Sequence, residues 1–328
     1  MASVTAPRVS IVSPALAADN NGNWHTAARW QGFLAPYAEV EVVGVGAEDE
    51  RADLLIALHA RRSAASIARW RARRPQAPLV LVLTGTDLYR DLDVDASARH
   101  SLECASRIVV LQSAALARLD PASRARAQVI VQSAPALRAR RSRTDADLVA
   151  VGHLRDEKDP ATLLRAVRLL AADRAPPTIA HVGAPLDPRL GEEAQATMAA
   201  CPAYRWLGAL DHAATRRVIA RARALVHPSR MEGGANVVVE AVCSGVPVLA
   251  SRIDGNVGLL GSDYDGTFAV GDAAELAALV RRFLVDDAFA AHLRAQCALR
   301  EPLFRPAVER RAVRRLVTGL LATHGRAA

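Results

Sequence analysis

The chain has 328 residues, 51% of them apolar but only 4% aromatic, and a formal net charge of +8. This is enough for one or two domains whose cores are built from Leu, Val and Ala. No run approaches the ~20 apolar residues of a membrane span, and the arginines are scattered over helical stretches such as 69–74 and 216–223 instead of gathering into the basic, aromatic-interleaved patch of a nucleic-acid binder.

The first half alternates strand-like and helix-like segments. Strands are expected at 8–13, 39–45, 53–58, 79–83, 107–111 and 128–132, with helices such as 24–35, 62–73 and 96–105 between them. The apolar start at 9–18 is interrupted by Pro14 and reads as a first strand and its loop, not a signal peptide. Segment 133–147 is polar, basic and contains Pro135, the composition of a linker. A second alternating series follows: strands at 148–152, 178–183, 205–207, 224–227, 246–250 and 267–270, and helices at 160–172, 189–200, 212–222 and 236–244. Helices 273–284, 287–300 and about 306–323 close the chain. This is the pattern of two doubly wound parallel sheets: an α/β protein with Rossmann-like domains at 1–140 and 146–300 and a terminal helical segment at 303–328. Cys104, Cys201, Cys243 and Cys297 are far apart, without metal spacing, and read as core residues of a reduced, cytoplasmic protein.

Residues 227–251, HPSRMEGGANVVVEAVCSGVPVLAS, carry the strongest chemical signal. A strand ends near His227, and a loop brings Arg230, Glu232, Gly233, Gly234 and Ala235. Asn236 is suited to cap the helix that follows, and Gly245 to close it. Glycines ahead of a helix N-terminus offer backbone N–H groups and the positive end of a dipole, which suits a phosphate. Glu232 and Glu240 can accept hydrogen bonds from hydroxyls of the same ligand. A sugar nucleotide has both kinds of group. The 42 basic residues comprise 41 Arg and one Lys; that lysine, Lys158, stands in a loop beside a predicted helix, where a compact ammonium suits a phosphate.

The stretch resembles the nucleotide-sugar site of the family 4 glycosyltransferases: two glutamates with seven residues between them, loop glycines, then Gly245 and Pro247. The resemblance extends to VGHLRDEKDP (151–160), where Lys158 matches the family lysine, His153 stands in place of the usual Arg and Asp159 in place of the usual Gly. It also covers YRWLGAL (204–210), where Gly208 and Leu210 would border the base. The resemblance implies the GT-B fold, two domains facing across a cleft, a UDP-sugar donor, and a last helix that crosses back to the first domain. Lys158, His153 and Glu232 would be catalytic, and Arg230, Gly233, Gly234, Ala235, Asn236, Glu240, Gly208 and Leu210 would bind the donor. The diphosphate amides can also come from the loop DGNVGLLG (254–261), which is glycine-rich after a strand. DVD (93–95), DAD (145–147) and DYD (263–265) imitate a metal motif but read as surface loops, so no metal or cofactor is expected.

The acceptor would lie at strand ends of the first domain: Asn21, Gly22 and Asn23, a flexible turn entering a helix where an anion could rest; His59, Arg61 and Arg62; Thr86, Asp87 and Arg90. The segments HARRSA, LTGTDLYRDL, GHLRDEKDP, YRWLG, PSRMEGGANVVVEAV and GVPVLASRIDGNVGLLG, spread over most of residues 20–272, resemble those of a small subgroup, the selenosugar synthases of selenoneine biosynthesis. That similarity implies selenophosphate as acceptor and UDP-N-acetylglucosamine or UDP-glucose as donor. The expected partners are thus small-molecule substrates, with no nucleic acid and no membrane span. Two alternatives stand beside it. One is a transferase with a hydroxyl acceptor, for which Asp87 or His59 would be the base. The other is a non-catalytic nucleotide-sugar-binding protein.

Overall fold

The computed structural model describes residues 6–19 and 21–324; the ends of the expected first and last segments, at 1–5 and 325–328, lie outside them. The chain forms two compact units, Met1–Gln132 with Pro306–Ala328, and Ser133–Arg305.

In the first unit, β1 (Arg8–Val12), β2 (Glu39–Val43), β3 (Leu54–Leu58), β4 (Leu79–Leu83), β5 (Arg107–Val110) and β6 (Ala127–Val129) form one parallel sheet in the order β2-β1-β3-β4-β5-β6. β3 (LLIAL) and β4 (LVLVL) are buried along their whole length, as runs without polar alternation require in a sheet covered on both faces. Its helices are α1 (Gly22–Leu34), α2 (Ala64–Arg73), α3 (Leu92–Val94), α4 (Ala96–Cys104) and α5 (Pro121–Ala125). A π-turn over Asp87–Asp91 leads into α3. Val313, Leu316 and Val317 of the last helix (Pro306–His324) enter the same apolar cluster as Trp30 and Leu34 of α1. The buried Glu309 fastens it, accepting from Arg29 Nε at 2.7 Å and Trp30 Nε1 at 2.8 Å.

The second unit repeats the plan. β7 (Leu148–Val151), β8 (Ile179–Val182), β9 (Tyr204–Trp206), β10 (Ala224–His227), β11 (Val248–Ser251) and β12 (Thr267–Phe268) form a parallel sheet in the order β12-β11-β10-β7-β8-β9. Its helices are α6 (Pro160–Leu170), α7 (Pro188–Ala200), α8 (His212–Arg221), α9 (Asn236–Cys243), α10 (Asp254–Leu260), α11 (Ala273–Val285) and α12 (Asp287–Arg300). The last helix of the chain is then α13 (Pro306–His324).

In each sheet the direction of winding reverses at one pair of neighbours, β1/β3 and β7/β10. Loops leaving the carboxyl ends of such a pair diverge to opposite faces and leave a crevice, the usual ligand position in open α/β sheets. The two reversals therefore decide where sites can lie. Among the described residues no helix is long and apolar enough to cross a membrane.

Three local expectations change. Segment 254–261 is not a loop but carries α10, whose Gly255 packs so tightly that a Cβ there would collide with the Glu232 carbonyl oxygen. Asn236 is the first residue of α9 and Ala235 holds the cap position; no side chain caps this helix. Asn21–Asn23 is not an open turn either. Asn21 Oδ1 accepts from the amides of Asn23 at 3.0 Å and Trp24 at 3.3 Å, so the place foreseen for an anion is taken by the chain's own cap.

Candidate functional site

In the second unit, the β7/β10 reversal gathers the residues that the sequence separates by more than seventy positions. β7 ends at Val151 and its loop carries His153 and Lys158; β10 ends at His227 and its loop carries Arg230 and Glu232. Lys158 Nζ donates to Glu232 Oε1 at 2.6 Å. His227 Nε2 lies 3.3 Å from the same oxygen, within ion-pair reach. Burial alone would push the Glu232 carboxyl up. The Lys158 ammonium and the His227 imidazole outweigh it and hold the group well below the usual carboxylate range, so Glu232 is an anion throughout the neutral range.

Beside this triad Arg230 forms a two-point ion pair with Asp159, Nε to Oδ2 and a terminal nitrogen to Oδ1, each at 3.1 Å. Asp159 is buried and lies in the left-handed region with φ 46°, which explains the glycine that usually stands there. A short polar side chain tolerates this backbone, and here it does two jobs: it caps α6 through Thr162 and anchors Arg230. The amide of Arg230 also donates to the Glu157 carbonyl at 2.9 Å, lacing the two loops together.

His153 accepts the Ala184 N–H at Nδ1, 3.1 Å away, so its neutral ring carries the proton on Nε2. Burial, then Arg155 and Lys158, lowers its pKa, which keeps it a neutral donor at physiological pH. This differs from the arginine it replaces: it offers one hydrogen bond and no charge.

The loop after Glu232 runs through Gly233, Gly234 and Ala235 into the uncapped N-terminus of α9. With Lys158 paired to Glu232 and Arg230 to Asp159, this helix end and the spare N–H donors of both cations form the electropositive part of the site. One turn into α9, buried Glu240 accepts from His212 Nε2 at 2.6 Å. His212 is the first residue of α8 and follows the Gly208–Leu210 loop, in which Gly208 has φ 67° and its carbonyl accepts from the Gly183 amide at 2.8 Å. Thus Gly208, Leu210, His212 and Glu240 form one flank, and His153, Lys158, Arg230 and Glu232 the other. Sequence reading missed His227 and His212 as members. Both were visible only as a strand end and a helix start, and nothing in their spacing pairs them with the two glutamates.

In the first unit, His59 stands at the carboxyl end of β3, beside the reversal, with φ 73°, a strained conformation for a non-glycine residue. Its Nδ1 accepts the Arg62 N–H at 3.3 Å and its Nε2 faces Thr86 Oγ1 at 3.0 Å. Burial lowers its pKa against the opposing charges of Asp87 and Asp91, so the ring is neutral and Nε2–H is the donor to Thr86. Asp87 is fully buried and accepts from the amides of Ala60, Thr84, Gly85 and Leu88 at 2.7–3.2 Å. Arg61 and Arg90, both exposed, reach Asp91. So buried His59 and Asp87, with half-buried Thr86, form a frame, and Arg61, Arg62 and Arg90 are exposed beside it. Asn21, Gly22 and Asn23 open α1 after the neighbouring strand β1.

The three acidic motifs are spent locally. Asp95 caps α4, Asp93 pairs with Arg118, Asp145 and Asp147 bind Ser142 and Thr178, and Asp265 pairs with His292.

Two parallel-sheet Rossmann-like units, the second with an acidic pair and an open helix end at its winding reversal, put the protein in the structural class of the GT-B glycosyltransferases. Solved structures agree on the fold across nearly the whole chain. Anabaena HepE in complex with UDP and glucose superposes with a TM-score of 0.75 at 15% identity, covering 95% of this chain and 100% of that one. Sucrose-phosphate synthase from Thermosynechococcus elongatus gives 0.76 at 16%, covering 97% and 100%. The E. coli structure described as trehalose-6-phosphate bound with UDP-2-fluoro glucose gives 0.73 at 11%, covering 96% and 99%. By sequence, residues 138–299, most of the second unit, match the family model glycosyl transferases group 1. Glycogen synthase of Mycobacterium tuberculosis, in strains CDC 1551 and H37Rv, is 35% identical over 166 residues, 49% of this chain and 39% of that protein. The match thus spans about two fifths of those curated relatives.

Proposed function

We propose that the protein transfers a sugar from a UDP-sugar, and that its acceptor is selenophosphate, which makes it a selenosugar synthase. The observation that carries the donor half is the meeting of Lys158, Glu232 and the uncapped end of α9 at the β7/β10 reversal. A diphosphate against that helix end would share the Lys158 ammonium with Glu232, and Arg230 stands beside it. The two functions of the site then separate. Lys158, Arg230 and the amides from Gly233 to Asn236 take up the charge that develops on the leaving UDP. Glu232 accepts from a sugar hydroxyl and His153 Nε2–H donates to the sugar or phosphate. Glu240, oriented by His212, accepts from the ribose.

The acceptor half rests on the resemblance of the segments between residues 20 and 272 and on the chemistry of the first unit. A hydroxyl acceptor wants a base, and the two candidates are committed elsewhere: Asp87 to four amides, His59 to Arg62 and Thr86. Selenophosphate is already deprotonated at selenium and wants cations instead. Its selenium lone pair forms the bond to the anomeric carbon while the bond from that carbon to the UDP oxygen breaks, and the electron pair leaves with UDP. Water then cleaves the Se–P bond, releasing phosphate and the 1-selenosugar.

The test is anaerobic. The purified protein is incubated with UDP-N-acetylglucosamine or UDP-glucose, with and without selenophosphate, and UDP and the selenium isotope pattern are followed by mass spectrometry. A selenium-bearing sugar in step with UDP is the expected result. UDP-sugar binding without any selenium product overturns the acceptor assignment, and absence of UDP-sugar binding overturns both halves.

A further inference from the structure

Asp91 was not foreseen as part of any site, and its surroundings are unusual. It is 2% exposed and closes the π-turn of Asp87–Asp91, whose last N–H, from Leu92, reaches back to the Asp87 carbonyl. The wide turn stacks Asp87 and Asp91 on one inward face, and such turns concentrate where function has displaced regular helix. Asp87 is saturated by amides, whereas Asp91 is not. Its Oδ1 accepts from Arg90 Nε at 3.1 Å, and its Oδ2 has no aligned hydrogen bond although Arg61 Nε lies 3.1 Å away. His59 Nε2, at 3.9 Å from Oδ2, is already turned to Thr86. A buried carboxylate therefore meets two arginines through their Nε edges, one from the β3 loop and one from the β4 turn. The side chains of Arg61 and Arg90 remain 45% and 42% exposed.

We infer that Asp91 is a positioning residue that gathers Arg61 and Arg90 into a two-guanidinium cradle for a compact phosphate-type dianion. A guanidinium has five donors in a fixed plane, and holding its Nε edge aims the rest of the fork. Two forks aimed from adjacent strand ends suit a tetrahedral oxyanion, which accepts along two edges at once. The frame behind it, His59 with Thr86 and Asp87 with four amides, holds both loops and is not itself offered to the anion. The inference rests on the acceptor reading of the first unit, and it narrows that reading from nine candidate residues to two cations and one buried carboxylate.

The sign of one substitution tests it. Asp91→Asn keeps the shape and removes a negative charge from the neighbourhood of the anion. If Asp91 acted only by its charge, the variant would bind anions more tightly; as a positioning residue, its loss releases both forks and weakens binding. The measurement is calorimetric titration of the full-length protein with inorganic phosphate and, separately, with UDP. Wild-type protein is expected to bind phosphate, Asp91→Asn and Arg61→Ala each to bind it about tenfold more weakly, and both to bind UDP as wild type does. Equal or tighter phosphate binding by Asp91→Asn overturns the positioning role. Absence of phosphate binding by the wild type overturns the cradle. A parallel loss of UDP binding would mark a general folding defect and also count against it; circular dichroism melts and Arg61→Ala, which removes no buried group, separate that case. If wild-type protein binds phosphate yet forms no selenium product, the cradle stands and the selenophosphate assignment falls.

Discussion

The two winding reversals handle charge in opposite ways. In the second unit cations and anions neutralise each other across two loops, Lys158 with Glu232 and Arg230 with Asp159, and a helix end supplies the surplus positive potential. In the first unit the acids are buried as a frame and the arginines lie outside it. The first arrangement suits a ligand that brings both hydroxyls and phosphates, because each paired group can exchange its partner for one of the ligand's. The second suits a small anion with nothing but charge to recognise. The difference shows that a shared fold does not impose a shared electrostatic plan; loops at the same topological position decide it.

The comparison can be broken most sharply at Lys158. Lys158→Ala removes the compact cation that we propose faces the leaving group, and it leaves Glu232 without its strongest partner. We expect kcat to fall by about 10²-fold or more, measured as UDP release under saturating donor. Near-normal turnover would mean that the helix end alone carries the diphosphate.

Glu240→Ala should act on the other flank, raising the donor KM about tenfold through the loss of hydrogen bonds to a charged acceptor while kcat changes less. A fall in kcat with unchanged KM would remove the ribose role.

Glu232→Gln sharpens the contrast through pH. The folded-state pKa of Glu232 is depressed, so its pairing stabilises the protein above the ordinary carboxylate range and that stability is lost as pH falls through the folded pKa. The variant should melt ~5 °C below wild type at pH 7, and the gap should close only at strongly acidic pH. A gap that closes already between pH 7 and 5 would count against a carboxyl held this low at Glu232.

The smallest effect is expected at Asp159. Asp159→Gly suits the left-handed backbone but removes the α6 cap and the anchor of Arg230. Stability should fall by about 1 kcal/mol, and the donor KM should rise a fewfold. Asp159→Ala, with a Cβ and no compensating bond in that conformation, should be worse than glycine on both counts.

Much of the protein was legible beforehand, and unevenly. The run 227–251 lies along one strand–loop–helix–strand, so its geometry is local: hydrophobic periodicity and the glycine at Gly245, which adopts φ 76° just past α9, place it within a residue or two. The 254–261 segment was misread because its glycines suggest a loop, whereas Gly255 is there to let α10 press against the Glu232 carbonyl. Asn236 was misread because a good capping residue stood one position inside the helix. His227, His212 and Asp91 had no signal at all: His227 meets Glu232 across the turn of their shared loop, His212 meets Glu240 from another helix, and Asp91 closes a π-turn that no periodicity announces.

What the sequence by itself determined is what nearest neighbours along the chain control: which segments are strands, that both sheets are parallel and doubly covered, and that one loop carries carboxylates ahead of a helix end. Only the tertiary structure decided which charges meet. Parallel strands bring together loops separated by tens of residues, and whether a carboxylate is a ligand group or a buried strut depends on who arrives from the neighbouring strand. Glu232 and Asp87 are each one acid in a strand-end loop; Lys158 makes the first an exchangeable partner, and four amides make the second part of the frame.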